Sequence, residues 1–136
     1  MSGERDLATL LSTLSAKLHP EVYVFATRPR GDIPPDMAPR MVFVEDEGTT
    51  LICTQDEAIA AGIPHEFPCR MVTCDVHSAL EAVGFIAHIA SKLAAAGMGV
   101  NPVSGYYHDH LFIPEGREAE ALTILKEIAS FAKAKA

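Results

Sequence analysis

From residue 69 onward the hydrophobic period switches in a set order, and that order leaves the chain few folds to choose from. Residues 69–76 read as a strand. From Ser78 the apolar side chains recur at helical spacing, with Leu80, Val83, Ala87, Ala90 and Ala94 on one face and a stop near Gly97. Residues 99–103 and 111–113 read as two more strands around Ser104-Gly105. A last helix over 117–133 turns Leu122, Leu125, Ile128 and Ala132 inward. The order β-α-β-β-α is a split βαβ unit of the ferredoxin-like α+β class that lacks its closing strand.

The first half has the opposite deficit. Leu7, Leu10, Leu11, Leu14 and Leu18 predict an amphipathic helix running to the His19-Pro20 break, with no strand before it. Val22-Tyr23-Val24-Phe25-Ala26 follows as a β-branched and aromatic strand. Pro29, Gly31, Pro34, Pro35 and Pro39 make residues 28–40 a loop, because proline cannot donate to a ladder. Met41-Val42-Phe43-Val44, the acidic turn Glu45-Asp46-Glu47-Gly48 and Thr50-Leu51-Ile52-Cys53 predict a hairpin, and residues 55–61 a short helix. Gly62, Pro64 and Pro68 put the boundary between halves at 63–67. The halves resemble a diverged repeat. Two incomplete units are expected either to share one sheet or to borrow an edge from a second chain.

With 136 residues the chain suits one domain or two very small ones with a common core. Its 11 Lys and Arg against 18 Asp and Glu leave a net charge of -7, which repels phosphate backbones and anionic lipids, so neither nucleic acid nor a membrane is an expected partner. The polar Met1-Ser2-Gly3-Glu4-Arg5-Asp6 start and short apolar runs predict a soluble cytoplasmic protein. Cys53, Cys69 and Cys74 are odd in number and lack Cys-x-x-Cys spacing, which fits buried free thiols. Neither a nucleophile elbow, a phosphate-cradling glycine loop, a His-Glu-x-x-His helix nor a dinucleotide fingerprint is present. Enzymatic activity therefore has no positive support, and no cofactor is called for.

Asp75-Val76-His77-Ser78-Ala79-Leu80-Glu81-Ala82-Val83-Gly84 and Gly105-Tyr106-Tyr107-His108-Asp109-His110-Leu111-Phe112-Ile113-Pro114 resemble a bacterial group of small tandem ACT proteins. Tyr23-Val24-Phe25-Ala26-Thr27 and the Glu45 to Gly48 turn resemble the same group. The resemblance implies two ACT-like βαββαβ-type lobes, 1–66 and 67–136, sharing or pairing antiparallel sheets in a homodimer or higher homo-oligomer. It further implies a regulatory module that senses an amino acid or related metabolite at the turn between the first strand and first helix, here residues 75–78. The wider family pattern has proline and glycine where this chain has His77 and Ser78; without the glycine, a ligand has less room to approach the backbone.

The residues themselves supply candidates for that site: Asp75, His77, Ser78, Tyr106, His108 and His110. Ser78 and Glu81 fit a capping box, and a helix N-terminus also suits a ligand carboxylate. His108 and His110 leave an extended chain on one face, with Asp109 on the other. Three readings of this run stay open. It is a polar turn bonded to itself, or the polar side of a small-molecule pocket, or, with His77 as third nitrogen, the centre of a metal-binding enzyme. A purely structural oligomerisation module is a further alternative. The acidic turn at Glu45, Asp46 and Glu47 reads as a solvated hairpin tip, Arg28, Arg30 and Arg40 as solvated surface, and His19, His65 and His88 carry no assigned role.

Overall fold

A computed structural model describes residues 3–135. Its elements are α1 (Leu7–Thr13), β1 (Ala16–Arg28), β2 (Met41–Val44), β3 (Thr49–Thr54), α2 (Gln55–Ala61), β4 (Glu66–Cys74), α3 (Phe85–Ala95), β5 (Asn101–Ser104), β6 (Asp109–Pro114) and α4 (Glu118–Lys135). The strands form one six-stranded antiparallel sheet in the order β2-β3-β1-β4-β6-β5. Sharing a sheet is thus how the two incomplete halves are repaired. The described chain divides into two compact units, Pro20–Cys69 and the remainder, so β1 and β4 each contribute to both.

The Pro20–Cys69 unit contains the strand order β2-β3-β1-β4. This is the ferredoxin-like order, with the proline-rich residues 29–40 standing where a first crossover helix would be. Prolines there deny the backbone its helical donors. Val24, Ala26, Leu51, Cys53, Ala58 and Ile63 form its core. The α2 helix is held at its start by a full capping box: Thr54 Oγ1 accepts from the Glu57 N–H at 3.1 Å, and the Glu57 carboxylate accepts from the Thr54 N–H at 2.9 Å. Gly48 closes the hairpin because a Cβ there would lie 2.6 Å from the Arg28 carbonyl oxygen. Arg28 pairs with Asp32, and Arg40 donates to the Tyr23 hydroxyl at 2.9 Å, so neither arginine is simply solvated.

The other unit has the order β1-β4-β6-β5, with the first residues of β1 beside the end of β4. The N–H of Asp75 donates to Ser15 O at 2.7 Å, and Arg70 donates to His19 O at 2.8 Å while pairing with Glu118. Leu10, Leu11, Leu14, Val72, Ile89, Leu93, Leu111, Ile113, Leu125 and Ile128 meet in its core.

Two expectations need correction here. The leucine periodicity predicted a helix through Leu18, but α1 ends at Thr13 and Leu14 is already extended. Leu14 still packs in the core and Leu18 against it, from extended backbone, because strand pairing outcompetes a seven-residue helix that is too short to hold by itself. The second is the helix expected from Ser78: α3 begins only at Phe85, and Leu80 and Val83, expected inward, are 62% and 84% exposed.

Candidate functional site

The late start of α3 leaves residues 75–84 as an ordered loop whose backbone is anchored by the N-terminal segment. Glu4 N–H donates to His77 O and Ala79 N–H to Glu4 O, both at 2.8 Å, as a short parallel bridge. Gly3 makes that approach possible: at φ +96°, a Cβ would sit 2.8 Å from the Ala79 nitrogen. The Ser78–Glu81 capping box does not form. Ser78 is buried instead, and its hydroxyl donates to Asp109 Oδ2 at 2.9 Å.

Asp109 is the centre of the arrangement. It begins β6 on the same face as the core residues Leu111 and Ile113, only 6% exposed, and it takes a second hydroxyl bond from Ser104 at 2.5 Å. A carboxylate has about four lone-pair sites, so two remain for another donor. Its negative charge reaches the neighbouring thiol: burial first, then Asp109, pushes Cys74 up to about 12.

Beside this carboxylate lies a cavity of about 170 Å³ lined by Ser78, Ala82, Ser104, Gly105, Asp109 and the first three residues of α3. Helix α3 opens on Gly84 with no side-chain cap and no acidic residue in its first turn, so its first N–H groups have no intrahelical acceptor and the dipole there is uncompensated. One small cavity therefore joins a buried carboxylate to a positively polarised helix end. At ~30 Å³ per water, its volume matches about five or six waters, which suits a ligand of few heavy atoms.

The other candidates gather elsewhere. His110 Nδ1 lies 2.9 Å from Thr73 Oγ1, which lies 2.8 Å from His19 Nε2, so His19 joins a hydrogen-bonded row that its isolated position in the sequence concealed. His108 packs against His110 with ring centres 6.4 Å apart, and its Nε2 is 3.6 Å from Asp75 Oδ1. His77 stacks near Tyr107 at 5.3 Å, and Tyr107 on Tyr106 at 5.0 Å, with both tyrosines largely exposed. Ser78 alone of the six lines the cavity. His77, His108 and His110 do not converge, and among the described residues no group of three His, Cys, Asp or Glu side chains could hold a metal ion. This removes the geometry on which the metal-enzyme alternative depended. Asp109 itself had a legible signal, its period-two spacing with Leu111 and Ile113, which puts a carboxylate on a core face. Ser104 had none.

Two ACT domain family models match, over residues 2–70 and 65–127. The chain is 38% identical to a Vibrio cholerae protein of unknown function, described as a possible transport protein, covering 94% of this chain and 99% of that one with a TM-score of 0.82. An Agrobacterium tumefaciens protein is 18% identical with a TM-score of 0.70, covering 85% and 89%. The ligand-free regulatory subunit of aspartate kinase from Thermus thermophilus is 12% identical with a TM-score of 0.66, covering 87% and 97%, a likeness of fold. No curated protein is significantly similar. Among the described residues no helix is long and apolar enough to cross a membrane.

Proposed function

The chain belongs to the ACT domain family, and on that premise we propose that it is a regulatory module sensing a small amino acid or a closely related zwitterion in the cavity at Asp109. The observation that carries this reading is the pairing of a buried carboxylate with the uncapped first turn of α3 across one cavity. A ligand ammonium would take the free lone pairs of Asp109, and its carboxylate the N–H groups of α3. A zwitterion has no net charge, so the overall -7 does not repel it.

Ser78 and Ser104 hold the carboxylate in position by their hydroxyl bonds. Asp75, His77, Tyr106, His108 and His110 are assigned a supporting role, shaping the turns that border the cavity. Gly105, which lines it, lies where a Cβ would be 3.5 Å from His110 Nε2. The proposal includes a cytoplasmic setting and a homo-oligomeric state.

Thermal-shift measurement with the small L-amino acids tests the ligand. A hundredfold excess over Kd stabilises by about 2.7 kcal/mol, a Tm rise on the order of 10 °C. No rise with any amino acid at millimolar concentration would overturn the reading.

A further inference from the structure

A second concavity in the unit that carries Asp109 has no part in the reading above. It is a groove of about 410 Å³ between the start of β1 and helix α4, and it shares no lining residue with the cavity at Asp109. Its base is apolar: Leu14, Leu125 and Ala129 are buried there, flanked by Ala16 and Leu122. Its rim is basic. Lys126 and Lys133 line it together with the exposed hydroxyl residues Ser15 and Ser130, and among the described residues no carboxylate does. In a chain with 18 acidic residues against 11 basic ones, such a lining runs against the composition.

A lysine on a helix surface commonly has an acidic residue one turn away. Here the positions three and four from Lys126 are Leu122, Thr123, Ala129 and Ser130, and those preceding Lys133 are Ala129 and Ser130. Among the described residues neither lysine pairs with a carboxylate. Glu127 lines the neighbouring depressions at Phe131 instead. Lys133, in the last turn of α4, balances the negative end of the helix dipole, but Lys126 lies two turns earlier and has no such role. The two lysines leave α4 on one side, because seven residues are almost two turns, and at a rise of about 1.5 Å per residue they stand ~10 Å apart along its axis. Ala129 lies between them on that same side.

We propose that this groove is a second ligand site, which binds a linear dicarboxylate: the apolar middle lies against Leu14, Leu125 and Ala129, with one carboxylate at Lys126 and the other at Lys133. The lysine stems extend the apolar wall while their ammonium groups stay at the rim, and Ser15 and Ser130 supply hydroxyl donors there. A monocarboxylate would leave one lysine unmatched, and an uncharged chain of equal length would leave both. The net charge of -7 does not forbid the anion, because exposed charges farther than ~8 Å away are largely screened at physiological salt.

Amide NMR of the isotope-labelled chain, titrated with decanedioate, tests both the site and the ligand class. Saturable shifts are expected at residues 14–16 and 122–133, with the amides of Ser78 and Asp109 unmoved. Decanoate and then decanediol should bind progressively more weakly. Lys126→Ala and Lys133→Ala should each weaken decanedioate binding about two- to fivefold, and the double variant by roughly the product. Both lysines are exposed, so the circular dichroism spectrum should not change. Asp109→Asn should leave decanedioate binding as it is, which lets this site and the amino-acid reading fail separately. No saturable shift at millimolar decanedioate would overturn the proposal, as would decanediol binding equally well or a double alanine variant that binds like the wild type.

Discussion

Replacing Asp109 with asparagine keeps the volume of the side chain and removes its charge, which isolates what the carboxylate does. In the native chain it accepts two hydroxyl hydrogen bonds, from Ser78 and Ser104. A bond to a charged acceptor contributes ~1.5–3 kcal/mol and a neutral one ~0.5–1.5, so each loses roughly 1 kcal/mol. Both hydroxyls can still be satisfied, because a serine facing the new NH2 turns to accept from it. Relief from burying a charge offsets part of the loss, which leaves a net cost of about 1–2 kcal/mol. With a urea m-value of ~2 kcal/mol/M, the midpoint should fall by about 0.5–1 M. Asp109→Ala should cost more, since it leaves the hydroxyl of the buried Ser78 without its acceptor and adds a void. Urea titration followed by circular dichroism gives this ranking, and the same samples give ligand affinity, which should fall on the order of 10- to 100-fold in Asp109→Asn. An unchanged midpoint in Asp109→Asn, or an alanine variant no worse than the asparagine, would refute the role given to the carboxylate.

Thr54→Ala removes a side-chain cap and should cost ~1 kcal/mol by urea titration. Burial pushes the Glu57 carboxyl up, but the N–H groups of Thr54 and Ala38 and the Thr54 hydroxyl outweigh it and hold it below the ordinary 4.5. Its stabilising contribution is thus present above 4.5 and is lost as pH falls through the folded value, and Glu57→Gln should flatten that part of the acid titration. Cys74 behaves in the opposite sense: raised to about 12 from 9.0, it contributes fully below pH 9.0 and its share is lost as pH rises toward 12, so Cys74→Ala should weaken the alkaline fall of stability. Its thiol should react with a disulfide reagent only upon unfolding. Gly48→Ala should destabilise the fold by ~1–3 kcal/mol in urea titration, because the new methyl meets a backbone carbonyl rather than a side chain that can swing away.

The locally determined parts of the fold were legible in the chain. The β2–β3 hairpin and α2 carry their own turn and cap, Glu45 to Gly48 and Thr54 with Glu57, and they form where residue patterning predicts them. The period-3.6 face of α4 likewise needs no distant partner to be recognised. What the sequence could not settle are the choices in which a distant group outcompetes a local preference. Leu14 and Leu18 satisfy a helical period, yet from Ser15 onward the chain is extended because Asp75 and β4 take its hydrogen bonds. Ser78 and Glu81 have capping-box spacing, yet the serine hydroxyl goes to Asp109, 31 residues away, and α3 starts later with its first turn open to a cavity. The polar candidates followed the same rule: histidines and tyrosines stand out in a sequence by their type, but only tertiary contacts divided them into a His19–Thr73–His110 row, an aromatic group at Tyr107, and a serine that reaches the cavity. Periodicity determines which face of an element is apolar. Which buried polar group meets which is decided by long-range pairing, because that is where each such group finds a partner water no longer supplies.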